Sequence, residues 1–296
     1  MRILVSGSRG FIGSALVDYM QKKGYEIRRL VRPDSFKEEG DFVWDPKTGY
    51  VDLEAFDECD AVVHLAAENV GGRWTDEKMK EIRRSRIEGA SAICDAIKKL
   101  EVKPGIYISA SGVGYYGSCG DKVITENAPC GYDFLARVSK EREKVWESLS
   151  KYGVRVVNTR FGMVIGKGGI IKKMIKPFQS GLGVKFGDGK QYWSWISRHD
   201  TVRAIAHIIE TDSISGGVNV VSPNPVTNAE FSKIFAKSLN RPQFLTIPAW
   251  GARKIFGKMA DNLLLASVRA EPEKLLKSGF NFDHINLENA LASEMH

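Results

Sequence analysis

Arg2-Ile-Leu-Val-Ser6-Gly7-Ser-Arg9-Gly10-Phe11-Ile12-Gly13 stands near the start of this 296-residue chain. A short apolar run leads into glycines at 7, 10 and 13, and a helical pattern with Ile12, Ala15, Leu16 and Tyr19 follows. A strand-to-helix turn made mostly of glycine lets a pyrophosphate approach backbone N–H groups at a helix N-terminus, where the dipole is positive. A second strand, Tyr25 to Val31, begins just past Gly24. Strand, glycine turn, helix and strand in this order predict a dinucleotide-binding unit in a parallel α/β sheet.

An NAD site places a carboxylate near the end of that second strand to receive the adenosine ribose hydroxyls. Here the strand ends Arg28-Arg-Leu-Val31-Arg32-Pro33, so Val31 fills the acid's slot and Arg32 follows it. Guanidinium groups suit a 2′-phosphate because they stay charged and grip it through parallel hydrogen bonds. Arg9, inside the glycine turn, is placed to reach the same group. The expected cofactor is therefore NADP(H) rather than NAD(H). Arg28 and Arg29 read as a solvated strand face.

Composition narrows the class. With 43% hydrophobic residues the chain can bury a substantial α/β core and a smaller lobe. No apolar stretch approaches the ~20 residues that span a bilayer, and the first strand begins at once, so neither a membrane anchor nor a signal segment is expected. Cys59, Cys94, Cys119 and Cys130 lack metal or disulfide spacing and read as reduced thiols of a cytoplasmic protein. The net charge of +7 is interleaved with acids, as in Lys140-Glu-Arg-Glu-Lys144. That pattern is a charged helix face rather than a nucleic-acid surface.

Further strands are expected at Phe42–Trp44, Asp60–Ala66, Gly105–Ser109, Val154–Arg160 and Val218–Val221, with helices over 75–100 and 133–152. Gln191-Tyr-Trp-Ser-Trp-Ile196 reads as an aromatic strand, Asp200 as the cap of a helix, and Thr227-x-x-Glu230 as a capping box. The fold class is α/β: a Rossmann, doubly wound parallel sheet with a smaller mixed α/β C-terminal substrate lobe. Residues 1–165 with 191–222 form the expected NADP-binding domain, and 166–190 with 223–296 the lobe. Met174, Phe178, Tyr192, Trp193 and Trp195 either close over a substrate or belong to the lobe's core. A monomer or a homodimer through the two long helices is expected.

Gly7-Ser-Arg-Gly-Phe-Ile-Gly13, His64-Leu-Ala-Ala67 and Ser109-Ala-Ser111 followed by Tyr115-Tyr-Gly117 resemble an extended short-chain dehydrogenase/reductase. Arg73-Trp74-Thr, Ser85-Arg86-Ile87, Arg160-x-Gly162-x-Val164-x-Gly166, Gly168-Gly-Ile, Pro177-Phe with Gly181-Leu-Gly183, and Val221-Ser-Pro223 resemble its atypical NAD(P)-dependent sugar-nucleotide epimerase branch. The likeness covers essentially the whole chain. It implies a cofactor site of Gly7, Arg9, Gly10, Phe11, Ile12, Gly13, Arg32, Leu65, Ala66, Ala67, Glu81, Arg86, Ser109, Lys140 and Val164. It also implies a polar small-molecule substrate, with a nucleotide sugar as one candidate.

Competent extended members place a Tyr four residues before a Lys on the helix that here follows Asp133, one face carrying both side chains. Lys140 occupies the Lys position, but Ala136 stands where the Tyr is wanted. Lys140 either holds ribose or is a surface lysine. Ser111 matches the Ser that hydrogen-bonds the reacting oxygen, and Tyr115 or Tyr116 could present a phenol from the neighbouring loop. His199, in Ser197-Arg-His-Asp200, departs from the His-x-Asp-Asp cluster of relatives and reads as an exposed helix-entry residue. Two functions stay open: an NADP(H)-dependent epimerase or oxidoreductase using Ser111, Tyr115 and Lys140, or an NADP(H)-liganded sensor without turnover. No metal cluster is expected.

Overall fold

The computed structural model describes residues 1–35, 37–180 and 183–295. Gly181 and Leu182 of the Gly181-Leu-Gly183 motif lie outside the described residues. The apolar runs of the sequence become strands of one sheet: Arg2–Ser6 (β1), Glu26–Val31 (β2), Asp41–Asp45 (β3), Tyr50–Val51 (β4), Ala61–His64 (β5), Ile106–Gly112 (β6), Arg155–Phe161 (β7) and Gly216–Val220 (β8). Their spatial order is β8-β7-β6-β5-β1-β2-β3-β4. Every pairing is parallel except β3 with β4. The order reverses between β1 and β5, and the crevice outside their carboxyl ends is where such sheets hold ligands.

Helices cover both faces. Phe11–Lys22 (α1) and, following Gly169–Gln179 (α4), Arg198–Glu210 (α5) close one face over Ile3, Val5, Val63, Ile108 and Val157. Asp76–Lys99 (α2) and Phe134–Glu147 (α3) close the other over Leu4, Val62 and Tyr107. Local chemistry fixes their starts. Thr75 Oγ1 accepts from Lys78 N at 3.2 Å and Asp133 Oδ1 from Ala136 N at 2.9 Å. Each satisfies an otherwise unpaired first-turn donor. Asp76 and Glu77 open α2 and Lys98 and Lys99 close it, matching the helix dipole.

Strand alternation leaves an unusual row. Ser6, His64, Ser109 and Asn158 are register partners across β1, β5, β6 and β7. Being two residues beyond Leu4, Val62, Tyr107 and Val156, they face α2 and α3. All four are buried. A doubly covered parallel sheet is normally apolar throughout; here its last buried layer is polar.

The second half departs from expectation at two points. The aromatic stretch is two short strands: Tyr192–Trp193 pairs antiparallel with Val226–Thr227, and Trp195–Ser197 pairs parallel with Met163–Ile165. Trp193, Trp195 and Phe178 are core residues packed with Phe231 and Phe235, so the core reading of these aromatics holds over the substrate-closing one. Asp200 is not a cap. Ser197 caps α5, accepting from Asp200 N at 2.9 Å. The Asp200 carboxylate instead accepts from the backbone of Asp283 and His284 and from Arg203. The Thr227/Glu230 capping box is present at the start of Asn228–Ser238.

One contact ties the halves together. A Cβ built on Gly168 would lie 2.4 Å from Phe11 Cδ2, and one on Gly166 2.9 Å from Phe11 Cζ. The turn 166–169 therefore wraps the Phe11 ring, with Arg198 over it at 5.3 Å.

Candidate functional site

Gly7 has φ +70°, a left-handed conformation that costs glycine little, and a Cβ there would meet Ala66 N at 2.8 Å. A Cβ on Gly13 would sit 2.1 Å from Gly7 O. The turn is thus folded against the β5 loop and the first turn of α1 by contacts that exclude any side chain. Gly10 is the N-cap, and among the described residues no side chain caps α1. Its first N–H groups point out of the sheet end at the switch point, a cradle fitted to a phosphate. Gly13→Ala is expected to cost about 1–3 kcal/mol of folding stability through overpacking, measured by urea unfolding.

Around this cradle the cations are arranged unevenly. Arg9 donates to Asp41 Oδ2 at 2.7 Å, and Arg29 to Asp41 Oδ1 at 2.5 Å. Asp41, whose side chain is fully buried, thereby holds Arg9 beside the start of β3 and next to Arg29 of β2. Arg28 donates to Glu54 O at 2.6 Å and lies over the Phe42 ring. Arg28 and Arg29 are accordingly not the solvated face expected: their side chains are 17% and 20% exposed and paired. Arg32 is exposed just past β2. Arg86 donates to Glu68 O at 3.1 Å and Ile82 O at 3.2 Å, both carbonyls. Burial, reinforced by the nearby Arg142 charge, pulls its guanidinium down to about 10. A half-buried cation held by carbonyls alone is suited to an incoming anion.

The other positions scatter. Leu65, Ala66 and Ala67 form the β5 loop, with Leu65 and Ala66 partly buried and Ala67 exposed. Ile12 is partly buried against the core, and Val164 lies within it, paired with Ile196. Ser109 belongs to the buried polar row. Glu81 pairs with Arg84 at 2.6 Å on the outside of α2, so it is not brought to Arg86. His199 bonds Asp283 at 2.8 Å, exposed, at the entry of α5.

Above the polar row lies a network that the sequence reading missed. Ser111 Oγ donates to Glu143 Oε1 at 2.9 Å. Arg160, the register partner of Ser111, grips the same carboxylate with two bonds, 3.1 Å to Oε1 and 2.8 Å to Oε2. Its third nitrogen donates to the Tyr116 hydroxyl at 2.9 Å, which donates to Asn219 Oδ1 at 2.7 Å. Burial opposes the Arg160 charge, but the Glu143 bonds outweigh it and hold the guanidinium charged. Burial pushes the Tyr116 phenol up to about 12. The Tyr115 ring stacks on Arg160, 3.5 Å from its Cζ, and stays partly exposed. Lys140 is exposed one turn before Glu143, whereas Ala136 is fully buried. Acids at helix spacing from Lys140 were visible in the sequence, but nothing local marked Glu143 as the one facing β7.

His64 adds a pH dependence. Its Nδ1 meets Ser6 Oγ at 2.6 Å, and burial, with the Arg142 charge, depresses the ring well below the ordinary 6.5. The unfolded chain therefore binds a proton that the folded one refuses. Stability is fully present above about 6.5 and falls below it by up to about 1.4 kcal/mol per pH unit. Urea midpoints at pH 7.5 and 5.5 measure this, and His64→Gln should flatten the difference.

A family model described as the NAD dependent epimerase/dehydratase family matches residues 3–221. This chain belongs to that family. A second model, described as a domain of unknown function (DUF1731), matches residues 247–294. An epimerase family protein of Mycobacterium tuberculosis is 38% identical over 98% of this chain and 96% of its own. The crystal structure of human epimerase family protein SDR39U1 with NADPH aligns at TM-score 0.88 and 30% identity over 99% of both chains. UDP-glucose 4-epimerase of Thermus thermophilus, solved with NAD, shares the fold at TM-score 0.79 and 21% identity, covering 100% of this chain and 98% of its own. The Rossmann sheet and the extended short-chain dehydrogenase/reductase likeness are what the family membership carries. Among the described residues, no helix is long and apolar enough to cross a membrane.

Proposed function

We propose that this protein binds NADP(H) and acts as an epimerase or oxidoreductase on a polar small molecule, with Tyr115 in the role of the phenol that Ala136 does not supply. The observation carrying the reading is the uncapped α1 N-terminus at the switch point, flanked by Arg9, Arg32 and the carbonyl-held Arg86. The human relative solved with NADPH supports the choice of cofactor. The cradle of N–H groups would hold the pyrophosphate, Arg9 and Arg32 the 2′-phosphate, and Lys140 the nicotinamide ribose.

Bound NADP(H) supplies hydride transfer; the chain supplies orientation and protons. Burial pushes the Tyr115 phenol up, with Arg160 opposing, so at neutral pH it carries the proton that a reduced carbonyl oxygen needs. Ser111, whose own proton goes to Glu143, offers its lone pairs to a substrate hydroxyl. Tyr116 is buried and its hydroxyl is committed to Asn219, which leaves Tyr115 for the substrate side.

A second reading, an NADP(H)-liganded sensor without turnover, is favoured by Ala136 alone: fully buried, it leaves no room for the usual Tyr without repacking. Titration separates the cofactor question from the chemical one. NADPH should bind more tightly than NADH, and Arg32→Ala should weaken NADPH about 10- to 100-fold while leaving NADH unchanged, the size of one hydrogen bond to a charged group. Equal affinities for the two coenzymes would overturn the assignment. If NADPH binds and no nucleotide sugar or small carbonyl compound in a broad panel is turned over, the sensor reading takes its place.

A further inference from the structure

Beneath the network, between α3 and the sheet, six fully enclosed polar atoms have no hydrogen-bond partner among the described residues: His64 Nε2, Tyr107 OH, Ser109 Oγ, Arg142 Nε, Trp146 Nε1 and Asn158 Oδ1. They belong together. His64, Ser109 and Asn158 are cross-strand neighbours in the polar row. The Tyr107 and Trp146 rings stack at 4.0 Å, His64 meets Trp146 edge-on at 5.9 Å, and Arg142 Nη2 reaches His64 O at 3.5 Å.

Their chemistry is lopsided. Asn158 Oδ1 is the one atom of the six that can only accept, and the Tyr107 and Ser109 hydroxyls both donate and accept. Arg142 Nε and Trp146 Nε1 can only donate, and neither has an acceptor among the described residues. Charge points the same way. The Arg142 guanidinium is buried and cannot shed its proton as a neutral amine would, and Arg86 stands close enough to act on it electrostatically. The acids nearby are spoken for: Glu143 by Arg160 and Ser111, and Glu68 by Lys78. A buried guanidinium without a carboxylate partner is strongly disfavoured unless an anion shares its site.

We infer that Arg142 Nε and Trp146 Nε1, four residues apart on α3, hold a monovalent, halide-sized anion between that helix and the polar row of the sheet. His64, Tyr107, Ser109 and Trp146 are wholly shut from solvent, so the ligand sheds its whole hydration shell. A singly charged halide does this at far lower cost than a doubly charged oxyanion. The site lies below the network, apart from the groups proposed to grip the coenzyme phosphates.

Thermal unfolding at fixed ionic strength tests this, with sodium gluconate exchanged stepwise for sodium chloride or bromide. The wild-type midpoint should rise by about 2–4 °C, the mass-action response to a ligand bound only by the folded state. Arg142→Gln should lose that response, and Trp146→Phe, which keeps the ring stack but not the N–H, should reduce it. Crystals grown in bromide should show anomalous density between Arg142 Nε and Trp146 Nε1. Should Arg142→Gln fail to fold, the bromide density and Trp146→Phe decide. Water density in place of bromide, or an equal halide response in Trp146→Phe and the wild type, would overturn the inference. So would a halide response that saturating NADPH abolishes, because the anion would then be the coenzyme's own phosphate. NADPH affinity, read by its fluorescence in gluconate, reports separately on the cofactor assignment.

Discussion

Replacing Glu143 with alanine is expected to cost about 3–5 kcal/mol of folding stability, the usual consequence of removing one partner from a buried ion pair. The two side chains are 9% and 6% exposed, so water cannot take the carboxylate's place. Arg160 would keep only the Tyr116 hydroxyl and Glu126 O, neither of which is charged in a way that offsets a guanidinium. Ser111 would lose its acceptor as well. The cost belongs to the orphaned charge rather than to the worth of the pair, and this can be separated. A Glu143→Leu/Arg160→Met double variant should be more stable than Glu143→Leu alone. Urea unfolding measures both. If the double variant is the less stable, the uncompensated-charge account is wrong.

Tyr115→Phe is expected to lower turnover about 10²- to 10⁴-fold while leaving NADPH affinity unchanged, as removal of a general acid does. The argument is one of elimination among neighbouring phenols. Tyr116 is walled in and bonded at its hydroxyl, whereas Tyr115 stays partly exposed with its ring on the Arg160 cation. That cation–π contact fixes the ring plane without using a residue on the substrate side. Tyr116→Phe supplies the control. It should disturb stability through Arg160 and Asn219 more than it disturbs the catalytic step. Equal turnover losses in the two variants would mean that the loop aromatics act only as structure.

The sheet was legible because its signals are local. Ser6 ends an apolar run immediately before Gly7, Ala61-Val-Val-His64 is apolar enough for a strand covered on both sides, and Thr75 and Asp133 stand at the N-cap positions of the two long helices. The turn around Gly7 and Gly13 was readable for the same reason: its constraints lie within one short segment. What escaped depends on residues far apart in the chain. Asp41 pairs with Arg9 across 32 positions, and Ser111 with Glu143 across the same interval. Arg160 reaches Tyr116 across 44. A charge on a helix such as Lys140-Glu-Arg-Glu-Lys144 looks solvated until the register of the sheet shows that Arg142 and Glu143 turn inward. Asp200 was misassigned because Ser197, three residues earlier, is an equally good cap. The aromatic segment was misread because alternation predicts a strand but does not say which partner it finds, or that it changes partner after Trp193.

The Phe11 ring, clasped by the glycines of 166–169 and roofed by Arg198, couples the later half of the molecule to the opening turn of α1. Any swing of the later half of the molecule must lever the opening turn of α1, because the clasp has no slack into which the ring could slide. A bulkier residue at Gly168 would therefore strain the α1 amides proposed to face the pyrophosphate.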